Sequence, residues 1–505
     1  PPLSLSLSLS LSLSLSSAAT MRATQGRFLV LLLLWPALLA ARAAAGSAYV
    51  GEDAAGRLVL QPAAADAAVV VQGVAVPELA AAAAAQHAAG AAEAGDLAQL
   101  TGALRASLCA TGLAPLWHPH PWQLLATQGA TDFQAFVIDG ATFLLAVNDR
   151  SDKPPALPTA DVYEYSPAAG RFVLRQSLPT NNGGAAVAFS MHGEHYLVIT
   201  AESLVDNQSQ LYQFFRGARA FSLIQQLTTF TAFGVEAFVV DGKHFIAVAN
   251  NFNDKPTATN FINSSVYVNR ADIEPQYAGP VQFVIFQNIS TDGATDWEHF
   301  EYASTHYLAV SNFIAPTIPR SKSKSRIYRF DGQKFAHVPQ YDLDTVGAYD
   351  ITSFTIDGTV FLAVANSVNL SSEFRPVSYK HTVDVYTFDD AGPHWLQSLP
   401  AEGAFELEVL SWRNDTYLMV AHSNNGTSLV VPWPVYRFDR SARAFVLRQT
   451  LPGVSTAAIE TFYLEGRPYA AVAHNNNGVL SGTGRRYNVS SPIYQADLLC
   501  ADVLS

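Results

Sequence analysis

From about residue 113 onward, short apolar runs alternate with turns rich in Gly, Asn and Asp, and the whole succession repeats. FVIDGATFLLAVND from Phe136, FVVDGKHFIAVANN from Phe238, FEYASTHYLAVSNF from Phe300 and FTIDGTVFLAVANS from Phe354 align position by position. FSMHGEHYLVITAE from Phe189, LSWRNDTYLMVAHS from Leu410 and FYLEGRPYAAVAHN from Phe462 are weaker copies. The seven leading positions stand 53, 49, 62, 54, 56 and 52 residues apart. A period near fifty marks a propeller or solenoid, each unit too small to bury its apolar face alone. No helical period of 3.6 runs through this region.

Each repeat parses into four short strands. The first ends in a tight turn, at Asp139-Gly140, Asp241-Gly242 or Asp357-Gly358, where Asp-Gly supplies the positive φ that a two-residue hairpin needs. The second is the LAVAN run, apolar at successive positions and so expected to be buried on both faces. The third carries a Tyr, as in DVYEYS (161–166), RIYRFD (325–330) and PVYRFD (434–439). The fourth reads RFVLRQSLP (171–179) or AFVLRQTLP (444–452). Four antiparallel strands per repeat make one blade, so the fold class is all-β, a seven-bladed β-propeller. The last repeat lacks a fourth strand, and PWQLLATQGA (121–130) is expected to supply it from the N-terminal side. Cys109 and Cys500 flank that closure and are the only two cysteines, which predicts a single disulfide between them.

The repeat, with its FxxDGxxFLAVAN core and following VYRFD strand, resembles the EAR/EPTP repeat, as found in the leucine-rich glioma-inactivated proteins and in proteins joining a laminin G domain to EAR repeats. The likeness covers residues 121–500 and implies a secreted propeller that binds proteins in cell adhesion or receptor signalling. Residues 49–112 show neither leucine-rich repeats nor a laminin G-like stretch, so no partner carries over.

The flanking segments add a compartment. Residues 1–20, an alternating Leu-Ser run, read either as an amphipathic strand or as a translated leader upstream of Met21, and the second reading is preferred. Residues 21–48 have the form of a signal peptide: Arg22 and Arg27, an apolar core from Phe28 to Ala40, then small residues. That core is shorter than the ~20 residues of a membrane span, and no later stretch is long enough. Residues 49–112 include an Ala-rich run with Leu97, Leu100, Leu104 and Leu108 near helical spacing, and read as a short helix or a linker. Residues 113–505 are the propeller. Seven sequons, at Asn207, Asn263, Asn288, Asn369, Asn414, Asn425 and Asn488, predict N-glycosylation behind the signal peptide.

A net charge of −12 with no basic stripe argues against nucleic acid. The one basic cluster, Arg320, Lys322, Lys324 and Arg326, suggests a contact with acidic glycans. Zincin, nucleophile-elbow and P-loop signatures are absent, so catalysis is not expected. A lectin and a glycoside-hydrolase propeller are the alternatives. For the lectin, the recurrent Asn after LAVAN could form a sugar-binding face or could simply satisfy backbone groups. Acids recur where the first strand begins. Four residues before the leading position stand Asp132, Asp296, Asp350 and Glu406, and two before stand Glu236, Glu298, Glu408 and Glu460. Eight carboxylates around one axis would raise some pKa values or recruit a hard cation. Asp132, Asp296, Asp350 and Glu406 are therefore the expected calcium ligands, the alternative being hydrogen bonds to neighbouring blades. Six of the seven sequons map to loops of one face, which places a protein partner on the opposite face.

Overall fold

The computed structural model describes residues 117–496 apart from 119, 153–157, 204–207, 254–258, 316–321, 372–374 and 481–483, with short strands between residues 49 and 75. Those strands pair as two small hairpins, Tyr49–Glu52 with Leu58–Gln61 and Val70–Val71 with Val74–Ala75. They precede the Ala-rich run, in a stretch where β-branched Val recurs. The Ala-rich run itself, the leader, the signal peptide, Cys109, Cys500, Asn207 and Arg320 lie outside the described residues. Among the described residues no helix is long and apolar enough to cross a membrane.

The second compact unit, Pro115–Asp497, holds seven four-stranded antiparallel blades. Their first, innermost strands are Ala130–Ile138, Gly183–Met191, Ala232–Val240, Ala294–Tyr302, Ala348–Ile356, Ala404–Trp412 and Thr456–Leu464. Blade 7 is completed as the sequence predicts. Gln123–Gln128 pairs antiparallel with Asn488–Gln495, and Trp117 extends the closure by bridging to Ala496.

Second strands are apolar at consecutive positions because each faces two neighbouring blades. Leu144 and Ala146 join the core shared with blade 7, while Phe143, Leu145 and Val147 join the core shared with blade 2. Period-two alternation therefore sorts one strand between two interfaces. The leading aromatic of the first strand stacks on the aromatic opposite it, as Phe136 on Phe143 at 5.6 Å and Phe354 on Phe361 at 5.4 Å. Such pairs contribute about 0.5–1.5 kcal/mol beyond area burial. All seven first turns place both central residues at positive φ, including His192-Gly193, Arg413-Asn414 and Ala303-Ser304, which lack the Asp-Gly signature. The third-strand Tyr reaches back one blade: the hydroxyls of Tyr163, Tyr212, Tyr267 and Tyr436 donate to Ala126, Pro179, Thr228 and Pro400 carbonyls.

Fourth strands form the outer edge, and in five blades a bulge falls just before a glutamine. A bulge re-aims the side chain next to it. Here Gln176, Gln225, Gln287 and Gln397 each accept from and donate to the backbone of the Phe that opens the next fourth strand, Phe221, Phe283, Phe335 and Phe445. Gln123 does the same to Phe172, and Gln449 to Trp117 in the closing segment. Blade 4 differs. Pro339, which lacks an N–H, breaks its fourth strand into Phe335–His337 and Leu343–Val346, and the intervening Tyr341 donates to the Asp390 carbonyl of blade 5 instead.

Candidate functional site

Because each first strand starts beside the axis, the two recurrent acidic registers converge in the central channel. Most of these acids are held by the next blade in the ring. Asp132 accepts the Ala186 N–H at 2.7 Å, Asp350 that of Leu407 at 2.6 Å, and Glu406 that of Ile459. Two residues further along the first strands, Glu298 accepts from Ser353 N–H and hydroxyl, Glu408 from the same groups of Thr461, and Glu460 from the Ala135 N–H at 2.8 Å. The hydrogen-bonding alternative of the sequence reading is thus realised for these groups. The acids also crowd one another: Asp296 and Asp350 are hydrogen-bonded side chain to side chain. Gly234 makes room for that pair, since a Cβ there would lie 2.6 Å from Asp296 Oδ1.

Burial is the main force on their protonation, with mutual repulsion adding to it for several. It pushes Asp132 up to about 7, Glu408 to about 7, Glu298 to about 8 and Asp350 to about 6. Asp296, Glu236, Glu406 and Glu460 are raised well above the ordinary carboxylate range for the same reasons.

The four residues expected to hold calcium line one cavity of about 540 Å³, together with Asp149, Arg150, Glu202, Glu460 and Arg485. Residues that directly follow the second strands, among them Asp149, Glu202 and Ser423, shape its rim, which places the mouth on the sequon-bearing face. Above the acids sits an aromatic collar that the sequence reading missed. Tyr349 packs on Phe405 at 4.0 Å, on Phe313 at 5.3 Å and on Phe233 at 6.1 Å between ring centroids. Phe233, Tyr349 and Phe405 occupy one register, five residues before the leading position of blades 3, 5 and 6. That recurrence was legible in the sequence. A second, more apolar cavity of about 720 Å³ adjoins the first, sharing Tyr349 and Phe405 and adding Ile314, Val368, Leu370 and Tyr379.

The Asn residues after LAVAN are structural. Asn148, Asn250, Asn312 and Asn366 are buried, each accepting a backbone N–H through Oδ1 and donating across the blade. His422 accepts from the Glu402 N–H at the same place. These five side chains are thus engaged within the propeller. Of the sequons, Asn263, Asn288, Asn414 and Asn488 are exposed, and Asn369 and Asn425 are half-buried near the mouth. In the basic cluster, Lys324 pairs with Asp344 at 2.7 Å and Arg326 with Asp292, so two of its charges are neutralised within the propeller.

Comparison with known proteins follows the same repeats. The EPTP domain matches residues 220–268, 282–331 and 338–374, each match running from a fourth strand into the next blade. Residues 220–374 of the seven-bladed propeller thus match EPTP repeats. The chain is 32% identical over 160 residues to the human "Thrombospondin-type laminin G domain and EAR repeat-containing protein", and 31% identical over 159 residues to its mouse counterpart. Each match covers 31% of this chain and 22% of the relative, so the likeness spans about a fifth of the curated relatives' length. Among solved structures, a putative 6-phosphogluconolactonase from Bacteroides uniformis aligns with a TM-score of 0.45 at 11% identity, over 66% of this chain and 89% of that one. A protein from Lactobacillus plantarum aligns with a TM-score of 0.43 at 13% identity, over 66% and 88%.

Proposed function

We propose that this EPTP-repeat propeller is a secreted, non-catalytic glycoprotein module that binds an extracellular or cell-surface protein at the mouth of its channel, in adhesion or receptor signalling. The aromatic collar over the acids carries this reading. A concave rim of half-buried aromatics above an acid-lined cavity can seat a partner's projecting side chain, and aromatics at a pocket mouth supply binding energy at low entropic cost. The sequence reading put the partner on the opposite face because sugars crowd this one. The pocket outweighs that argument, since glycans at Asn369 and Asn425 would flank the mouth without filling it.

Calcium belongs to the same proposal. Asp132, Asp296, Asp350 and Glu406 are hard oxygen donors facing one cavity, and a divalent cation would offset the burial of their charge and the repulsion among them. The repeated acids accept blade-to-blade hydrogen bonds from backbone and hydroxyl groups, which supports a structural role for them over that of glycosidase acid and base.

Binding of the labelled, glycosylated protein to intact cells tests the reading. Tyr349→Ala with Phe405→Ala should reduce binding at least tenfold, while substitutions at Val137 and Val239 on the opposite face should not. Equal binding by the collar variant would remove the mouth as the docking site. For the cation, chelation should lower the melting temperature and calcium restore it; melting that is unchanged across millimolar calcium would leave the acids as purely structural groups.

A further inference from the structure

One blade departs from the repeat in a way that the channel does not explain. The leading positions of blades 3 and 4 are 62 residues apart, against 49 to 56 elsewhere. The excess lies between the third strand of blade 3, ending at Asn269, and its fourth, starting at Phe283; it begins with the helix Arg270–Ile273. The segment is firmly attached. Arg270 donates to Glu274 at 2.9 Å, lies 4.5 Å over the Tyr277 ring, and its N–H donates to the Gln282 carbonyl.

What the helix carries is Asp272. Its Oδ2 accepts from His244, from the backbone N–H at 2.8 Å and from Nδ1 at 2.9 Å, and its Oδ1 lies 3.3 Å from His192 Nε2. His244 opens the second strand of blade 3, whereas His192 sits in the first turn of blade 2, at φ +52. Three ligand-bearing side chains from two blades and an inserted helix thus meet, their ligand atoms all within 4.8 Å of one another. The Asp272 and His244 side chains are 7% and 17% exposed, and His192 is 61% exposed. Buried Asn269 adds a hydrogen bond to the Asp272 carboxylate.

We infer that His192, His244 and Asp272 form a binding site for a divalent transition cation of the zinc class, tying blade 2 to blade 3 on the face opposite the channel mouth. Two imidazoles and a carboxylate select zinc over calcium, which prefers oxygen alone. With metal–ligand bonds of about 2.0–2.1 Å, a tetrahedral zinc separates its ligands by roughly 3.3 Å; His244 Nδ1 stands 2.9 Å from Asp272 Oδ2 and His192 Nε2 3.3 Å from Asp272 Oδ1, so one carboxylate oxygen would turn toward both imidazoles on binding. With the ion bound, each neutral imidazole carries its proton on the ring nitrogen away from the metal, His244 on Nε2 and His192 on Nδ1. Water can occupy the fourth position, which opens beside the exposed His192. Asn269 plays the outer-shell part, orienting the carboxylate.

Calorimetric titration of the chelator-treated, full-length secreted protein with zinc chloride tests this, with calcium chloride as the comparison cation. One zinc equivalent should bind, and His192→Asn should weaken it at least tenfold. Asn tolerates the positive φ of that turn, so the variant keeps the fold, as its zinc-free melting temperature would confirm. Cobalt should give the visible absorption of a tetrahedral site in the unmodified protein and lose it in the variant. Zinc bound equally well by His192→Asn, or not bound at millimolar concentration by the unmodified protein, would overturn the assignment.

Discussion

The glutamine contacts between outer strands give a calculable perturbation. In Gln225→Ala the Phe283 N–H and C=O lose partners at 2.8 and 2.7 Å. A net hydrogen bond contributes about 0.5–1.5 kcal/mol, and an abandoned buried group costs more. Gln225 is half-buried, so water can reach part of the vacated space, and a loss of about 2 kcal/mol follows. Unfolding entropy near 2.1 cal/mol/K per residue, over roughly 380 propeller residues, converts this to a melting shift of about 2–3 °C. Gln226→Ala, at the exposed neighbouring position, is the control and should shift melting by under about 0.5 °C. Gln225→Glu should also destabilise, because it keeps an acceptor for the N–H but sets an anion against the carbonyl. Thermal unfolding followed by circular dichroism reads all three. If Gln225→Ala cannot be distinguished from Gln226→Ala, the contact between blades 2 and 3 contributes nothing and the reasoning fails at every equivalent junction.

In the presence of chelator, the melting temperature should fall as pH rises from about 4 toward 8. The folded state binds protons more tightly than the unfolded chain at Asp132, Asp350, Glu298 and Glu408, with folded pKa values of about 7, 6, 8 and 7, so their contribution is complete at low pH and lost through that window; melting that is flat or rises with pH would contradict it. Gly403→Ala should destabilise far more than Gly140→Ala in chemical denaturation, because both have positive φ but a Cβ at 403 would lie 2.1 Å from the Asn424 carbonyl oxygen, whereas nothing lies within 4 Å at 140. The second change should cost only the left-handed strain of about 1–2 kcal/mol, and equal costs would refute the steric account. Non-reducing peptide mapping of the purified protein should recover Cys109 linked to Cys500, and two alkylatable thiols would exclude that bridge.

By itself the sequence determined the blade. Recurrence of FxxDGxxFLAVAN, the third-strand Tyr and the missing last strand specify seven antiparallel units closed from the N-terminal side, because local turn chemistry and period-two burial are written in neighbouring residues. The acidic registers were equally legible, since one position per repeat projects to one place around an axis. What a residue meets across a blade junction was not legible. The glutamine after the bulge recurs in the sequence, but only packing shows that it reaches the next blade. Tyr349 and Phe405 are 56 residues apart and stack only when two blades are set side by side. His192, His244 and Asp272 come from a turn, a strand and an inserted helix with no shared spacing. Such contacts depend on the rotation between blades and the path of one irregular loop, and these are fixed by the closed ring as a whole.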